Sequence, residues 1–285
     1  MVEVSLRATI NLLNASTVVA ISGGLRLYVA FLLAGKNMDI PIPLVMTLIV
    51  YSTYTLDRTV NCTEDEINRT EESNANKVFA YILVCICLIS AVLILIQNRI
   101  FPLIPFFPVI IGFMYTKGFN IGDYSIKLKQ GMGVKNFFVA FTWALTIVFL
   151  VYPAESLSLF LIFILFFIKS FINTVIFDFK DVIGDSQAGL KTMPVYFGES
   201  KAKLLLQLIQ SSFHICLIVL AIFNLIKFEM FVLLYSWICG IIYISLYANS
   251  KKTIFRSIVV HGEWAHMLIF RRLAIQLSWN VFHSI

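Results

Sequence analysis

The sequence predicts an all-α integral membrane protein built as a bundle of nine transmembrane helices. Three observations predict it. Hydrophobic residues make up 59% of the 285 residues and charged residues only 13%, against about 45–50% and about 25% in soluble domains. The mean hydropathy is +0.88. Finally, the polar residues collect into a few segments between apolar runs near the length that crosses a bilayer, about 20 residues.

Taken in order, the apolar runs fall near 8–34, 39–56, 77–97, 100–116, 136–153, 156–177, 202–226, 228–248 and 262–282. The first contains Asn11, Asn14, Arg26 and a Gly23-Gly24 pair and lacks a basic leader, so it reads as a retained span rather than a cleaved signal. The fourth carries Pro102, Pro105 and Pro108 and is expected to kink. The ninth is interrupted by Glu263, His266, Arg271 and Arg272, which makes it the weakest span. No soluble domain separates from these runs, so residues 1–285 read as one transmembrane domain.

Charge fixes the orientation. With nine spans, the polar segments 57–76, 117–135, 178–201 and 249–261 all fall on the side of the N-terminus. Of the 22 Lys and Arg residues, Lys36, Arg99 and Lys227 lie on the opposite side. Arg26, Lys169, Arg271 and Arg272 lie within spans, which leaves 15 on the N-terminal side. Such an excess marks cytoplasmic loops, and it outweighs the two sequons at Asn61 and Asn68. The net charge of +6 then reflects positive loops. No basic segment is interleaved with aromatics, which argues against a nucleic-acid partner. Four of the five cysteines sit in apolar runs with no C-x-x-C pair, so neither zinc nor a disulfide framework is indicated. Nothing in the sequence sets an oligomeric state.

Thirteen of the 16 acids fall on the cytoplasmic side, and two sets have a helical spacing. Asp57, Asn61 and Asp65 recur every four residues where span two ends. Asp178, Asp181 and Asp185 repeat at i, i+3 and i+7 where span six ends. Each set occupies one helical face. Like charges stacked this way repel, and the hydrocarbon edge adds desolvation. Mg²⁺ offsets both, since it binds through one or two carboxylates plus substrate phosphates. Glu64, Glu66, Glu71 and Glu72 share no face with the first set and read as solvated. Asn11, Asn14, Arg26 and Asn173 are expected to face the bundle interior, with Arg26 either a helix tie or a functional group. Lys169 either snorkels or meets substrate. His261-Gly-Glu263-Trp-Ala-His266 has the wrong spacing for a zinc helix, and the phenylalanines of 160–167 read as lipid-facing bulk.

The stretch INTVIFDFKDVIGDSQAGLKTMPVYFG, residues 172–198, resembles the second signature of the UbiA superfamily of intramembrane prenyltransferases. Asp178, Lys180, Asp181, Gly184, Asp185, Ala188, Gly189, Thr192, Pro194, Val195 and Gly198 fall at that signature's positions. The family's first signature, N-x-x-x-D-x-x-x-D followed by Asn, is matched by Asp57, Asn61, Asp65 and Asn68 with the first two polar positions exchanged. The asparagine carbonyl still offers an oxygen to a metal. Tyr115, Lys127, Lys129 and Asn136 resemble the family's tyrosine, basic pair and asparagine between spans four and five.

The resemblance implies nine helices around a central cavity, with cytoplasmic active-site loops at about 57–76, 117–135 and 178–201. It implies Mg²⁺ held by Asp57, Asn61, Asp65, Asp178, Asp181 and Asp185. Lys129, Lys180, Tyr115 and Asn173 would lie around a diphosphate. The implied reaction moves a prenyl group from an isoprenoid diphosphate to a lipophilic or aromatic acceptor within the membrane. A terpene cyclase using the same ionisation is the alternative inside the family. A cation-coupled transporter is the alternative outside it, but its acids should sit at the bilayer midplane in broken helices, not at span ends.

Overall fold

The structure is a computed structural model that describes residues 2–37, 40–59, 76–117, 119–121, 124–126, 133–187, 189–249 and 255–283. The chain runs through α1 (Val2–Leu33), α2 (Pro41–Thr59), α3 (Lys77–Gln97), α4 (Phe106–Lys117), β1 (Phe119–Ile121), β2 (Tyr124–Ile126), α5 (Val134–Val151), α6 (Ser156–Gln187), α7 (Met193–Phe197), α8 (Glu199–Ile222), α9 (Met230–Tyr247) and α10 (Arg256–His283). Apart from α7, one helix falls in each predicted span. Six of them, α1, α3, α5, α6, α8 and α9, are long and apolar enough to cross a membrane.

Three elements depart from the expected pattern for physical reasons. The fourth run does not kink at its prolines; the helix starts after Pro102 and Pro105, and Pro108 occupies its first turn, where a missing N–H does no harm. At 12 residues, or about 18 Å, α4 is shorter than a hydrocarbon core of about 30 Å. Next, the polar connection after α4 forms a two-stranded antiparallel hairpin pairing Phe119 with Ile126 and Ile121 with Tyr124. Finally, Asn11 and Asn14 are exposed rather than turned inward. The 32 residues of α1 span about 48 Å, so its first turns reach beyond a hydrocarbon core. There the Thr9 hydroxyl accepts from the Asn76 backbone N–H at 2.8 Å.

Packing follows from the same chemistry. Between helices in lipid, close approach of small residues replaces the hydrophobic drive. A Cβ on Gly23 would lie 2.5 Å from Val50 Cγ2, and one on Gly24 would meet the Thr47 hydroxyl and come within 2.9 Å of the Pro43 carbonyl, so α1 and α2 touch through this pair. A Cβ on Gly240 would run into the Gln210 side chain, which brings α8 and α9 together in the same way. The outer face of α3 exposes Val78, Phe79, Ile82, Ile86, Ile89 and Leu93, a continuous apolar stripe suited to lipid. Inside, α1 contacts α2, α5, α6 and α10, and α6 contacts α1, α5, α7, α8 and α9. These two long helices carry the interior. One buried apolar cluster, with Leu27, Ile49, Ile147, Phe166 and Trp264, fills most of the bundle. A second, with Ile176, Phe179, Met193, Leu206 and Tyr247, underlies the C-terminal end of α6.

Candidate active site

The second acidic set is built by the run-out of α6. Its 32 residues extend about 48 Å, so a helix entering the bilayer at Ser156 leaves its final turns outside a core of about 30 Å. The helix ends on Gly189, whose φ of +73° is the left-handed cap that glycine adopts freely. The Leu190 N–H returns to the Asp185 carbonyl at 2.8 Å. Thr192 then stands at the N-cap position of α7, with Pro194 in its first turn, and Gly198 at φ +77°, ψ 156° joins α7 to α8. Gly189, Thr192, Pro194 and Gly198 thus make the turn that folds the chain back beside the acids.

The three aspartates differ in setting. Asp178 is 2% exposed and accepts at 2.7 Å from Asn136 Nδ2 on α5, with Lys135 Nζ 3.6 Å away. Asp181 is half-buried, with Lys180 Nζ at 3.9 Å. Asp185 is 4% exposed, and its Oδ2 is buried without a hydrogen-bond partner. Burial, then the negative charge of Asp178, pushes the Asp185 carboxyl up to about 7. Arg256, buried at the start of α10, donates to the Asn249 carbonyl at 2.7 Å and lies within electrostatic reach of Asp181 and Glu199. Its place beside the acids could not be read from the sequence, where it counted only as a loop charge.

An orphaned, buried carboxylate oxygen beside a second carboxylate on one helical face fits a hard divalent cation such as Mg²⁺. Among the described residues, no three carboxylate, imidazole or thiol side chains converge on one point. The oxygens that complete a shell would therefore come from elsewhere, as is usual for Mg²⁺ bound with substrate phosphates. Asp57 lies half-buried in the last turns of α2. Asn61, Asp65 and Lys129 lie outside the described residues, as does Lys127, and Tyr115 lies in α4.

Asn173 is buried five residues before Asp178. With its amide oriented to satisfy both ends, its oxygen accepts from Arg26, and its nitrogen donates to the Lys169 carbonyl and the Tyr243 hydroxyl, each at 3.2 Å. Arg26 also donates to Ser170 Oγ at 2.9 Å, which makes it a tie between α1 and α6. Lys169 neither snorkels nor faces an open site. It is fully buried and pairs with Glu263 of α10 at 2.7 Å. The two histidines of the His261–His266 segment are held by side chains: His261 stacks on Phe177 and His266 bonds the Tyr235 hydroxyl at 2.8 Å. Of the phenylalanines in 160–167, Phe160 is exposed as expected. Phe163 and Phe167 instead interleave with Phe137 and Phe141 of α5, and Phe166 is core, 5.4 Å from Trp264.

A sequence model of the UbiA prenyltransferase family matches residues 25–264. The fold is similar to that of a UbiA homologue from Aeropyrum pernix K1 in its apo form, at 12% identity and a TM-score of 0.59, covering 89% of this chain and 98% of the other. It is also similar to that of a UbiA homologue from Archaeoglobus fulgidus bound to GPP and Mg²⁺, at 13% identity and a TM-score of 0.55, covering 96% and 99%. A third similar structure, from work on a digeranylgeranylglyceryl phosphate synthase in membranes, has 16% identity, a TM-score of 0.54 and 94% coverage of each chain. No curated protein sequence matches the chain.

Proposed function

Because the chain belongs to the UbiA prenyltransferase family, we propose that it transfers a prenyl group from an isoprenoid diphosphate to a lipophilic or aromatic acceptor within the membrane, releasing diphosphate. The observation that carries this reading is the pair of buried aspartates, Asp178 and Asp185, with an unpartnered carboxylate oxygen at the end of a membrane-length helix. A soluble, anionic headgroup and an apolar tail meet their complements only at such a junction. The positive-inside bias supports a cytoplasmic position for this end and for the loops 57–76, 117–135 and 178–201, where a prenyl diphosphate would arrive. On this reading the nine helices lie in the bilayer as one domain, with the short α4 reaching only part of the way across.

The groups that would hold Mg²⁺ are Asp178, Asp181 and Asp185 with Asp57, Asn61 and Asp65; bound there, it supplies Lewis-acid neutralisation of the diphosphate. The chain's own residues do the rest. Asn136 and Lys135 fix the Asp178 carboxylate. Lys180 and Lys129 would add positive charge toward the leaving group, Tyr115 would border it, and Asn173, engaged by Arg26 and Tyr243, would support the helix that carries the acids. As the C1–O bond breaks, its electron pair leaves with the diphosphate. The allylic cation is attacked by the acceptor, which then gives up a proton. The apolar interior of the bundle excludes the water that would otherwise trap the cation.

The test supplies lipid-embedded protein with labelled prenyl diphosphates of several lengths, Mg²⁺ and a panel of aromatic and lipid-alcohol acceptors, and identifies products by mass spectrometry. A labelled prenyl–acceptor adduct is the expected result. A labelled hydrocarbon or prenyl alcohol formed without any acceptor would assign a cyclase or a hydrolase instead. Label that crosses the membrane chemically unchanged would assign a transporter.

A further inference from the structure

A second group of polar contacts engages α6 nine residues before Asp178. Lys169 Nζ sits 2.7 Å from Glu263 Oε1, and both side chains are 0% exposed. Ser236 Oγ of α9 donates to the same Glu263 oxygen at 2.9 Å, and Lys169 donates to the Ser236 carbonyl at 3.3 Å. The ammonium also lies 4.9 Å from the Tyr243 ring centre and 5.7 Å from that of Trp264. One residue on, Ser170 accepts from Arg26 of α1. A turn later, Asn173 binds Arg26 and Tyr243, and five residues beyond that Asp178 is held by Asn136. At these levels α6 is tied to α1, α5, α9 and α10.

A dry ion pair of this kind contributes little net stability, because desolvating two charges offsets their attraction, and apolar replacement of both partners is often neutral or stabilising. What it does specify is position. A helix of 32 residues exceeds the hydrocarbon thickness, so hydrophobicity alone lets it slide or tilt at small cost. The phenylalanines Phe163, Phe167 and Phe171 repeat every four residues along α6 and stack at 6.1 and 6.3 Å, a face that could repack one turn away. The charged pair permits no such shift, since moving α6 by one turn would leave both Lys169 and Glu263 buried without a partner.

We propose that the Lys169–Glu263 pair is a positioning device for the metal site: it fixes the depth and rotation of α6 against α10, and so the place of Asp178, Asp181 and Asp185. This rests on the function proposed above. The test compares wild type with the double replacement Lys169→Met/Glu263→Leu and with Glu263→Gln, which keeps an acceptor for Lys169 and Ser236. Two quantities are read: the Mg²⁺ concentration giving half-maximal diphosphate release, and, with native cysteines replaced, the rate of disulfide formation between Asn136→Cys and Asp178→Cys.

The expected result is that the double variant melts close to wild type, yet needs about 10-fold more Mg²⁺, in the range known for lost partners of metal ligands. Its cysteine pair should also cross-link more slowly, with Glu263→Gln intermediate. An assembled variant with the wild-type Mg²⁺ requirement and cross-linking rate would overturn the proposal. Failure of both variants to assemble would overturn it too, since the pair would then be a folding determinant with no separable role in position. If wild type releases no diphosphate, the functional reading fails, and the cross-linking rate alone decides the positional claim.

Discussion

Asp185, proposed above as a metal ligand, sits where its burial works against stability. Its carboxyl is raised to about 7 by burial and then by Asp178, while an unfolded aspartate ionises near about 3.9. Between those values the unfolded chain has released a proton that the folded chain still holds. Folding stability therefore falls as pH rises through this window, and above it the full penalty is present. Asp185→Asn removes the ionisable group, so in Mg²⁺-free buffer it should melt a few degrees above wild type at pH 8, with the gap closing at pH 5. Equal melting at pH 8 would contradict this account of the site. The same variant should lose diphosphate release, which separates the metal-binding role from the stability effect. Residue-level chemistry was only partly legible in the sequence. The spacing of Asp178, Asp181 and Asp185 was visible because helical periodicity is local. The partners of Lys169 and Arg26 were not, because Glu263 lies 94 residues from Lys169 and Ser170 lies 144 residues from Arg26, and no periodicity links them.

At the scale of elements, Gly189 and Gly198 of the second signature are conformational requirements. Gly198 stands at φ +77°, ψ 156°, a region essentially restricted to glycine, and forcing another residue there costs on the order of 1–3 kcal/mol. Gly198→Ala should thus lower the melting temperature, whereas Lys201→Ala, three residues later on the exposed side of α8, should leave it unchanged. A Gly198→Ala protein that melts like wild type would sink this reading of the turn. Element positions were legible where apolar runs were long and uninterrupted, as in α3, α6, α8 and α9. They were least legible where backbone chemistry decides the boundary. The start of α4 is set by Pro102 and Pro105 rather than by hydropathy, and the hairpin after it rests on pairing between residues such as Ile121 and Tyr124, too short to leave a periodic signal.

For the whole molecule, the arrangement joins two solvents. The apolar exterior, with α3 and α8 among its most exposed helices, suits lipid, while the buried aspartates gather at one end of α6. Between them, the ties among α1, α6, α9 and α10 make the interior polar where it must be specific and apolar elsewhere. The global pattern was readable because the bilayer imposes both run length and charge bias on a sequence. Which helices close the interior was not, since Lys169 and Glu263 looked like separate interruptions of two spans. The central claim is that the acidic set at the end of α6 promotes ionisation of a prenyl diphosphate. Its most direct test is pyrophosphate release from geranylgeranyl and farnesyl diphosphates by lipid-embedded protein, with and without Mg²⁺, in wild type and in Asp181→Asn/Asp185→Asn. The account predicts Mg²⁺-dependent release that the double variant loses by about 100-fold or more. Release that is indifferent to Mg²⁺, or equal in the two proteins, would contradict it.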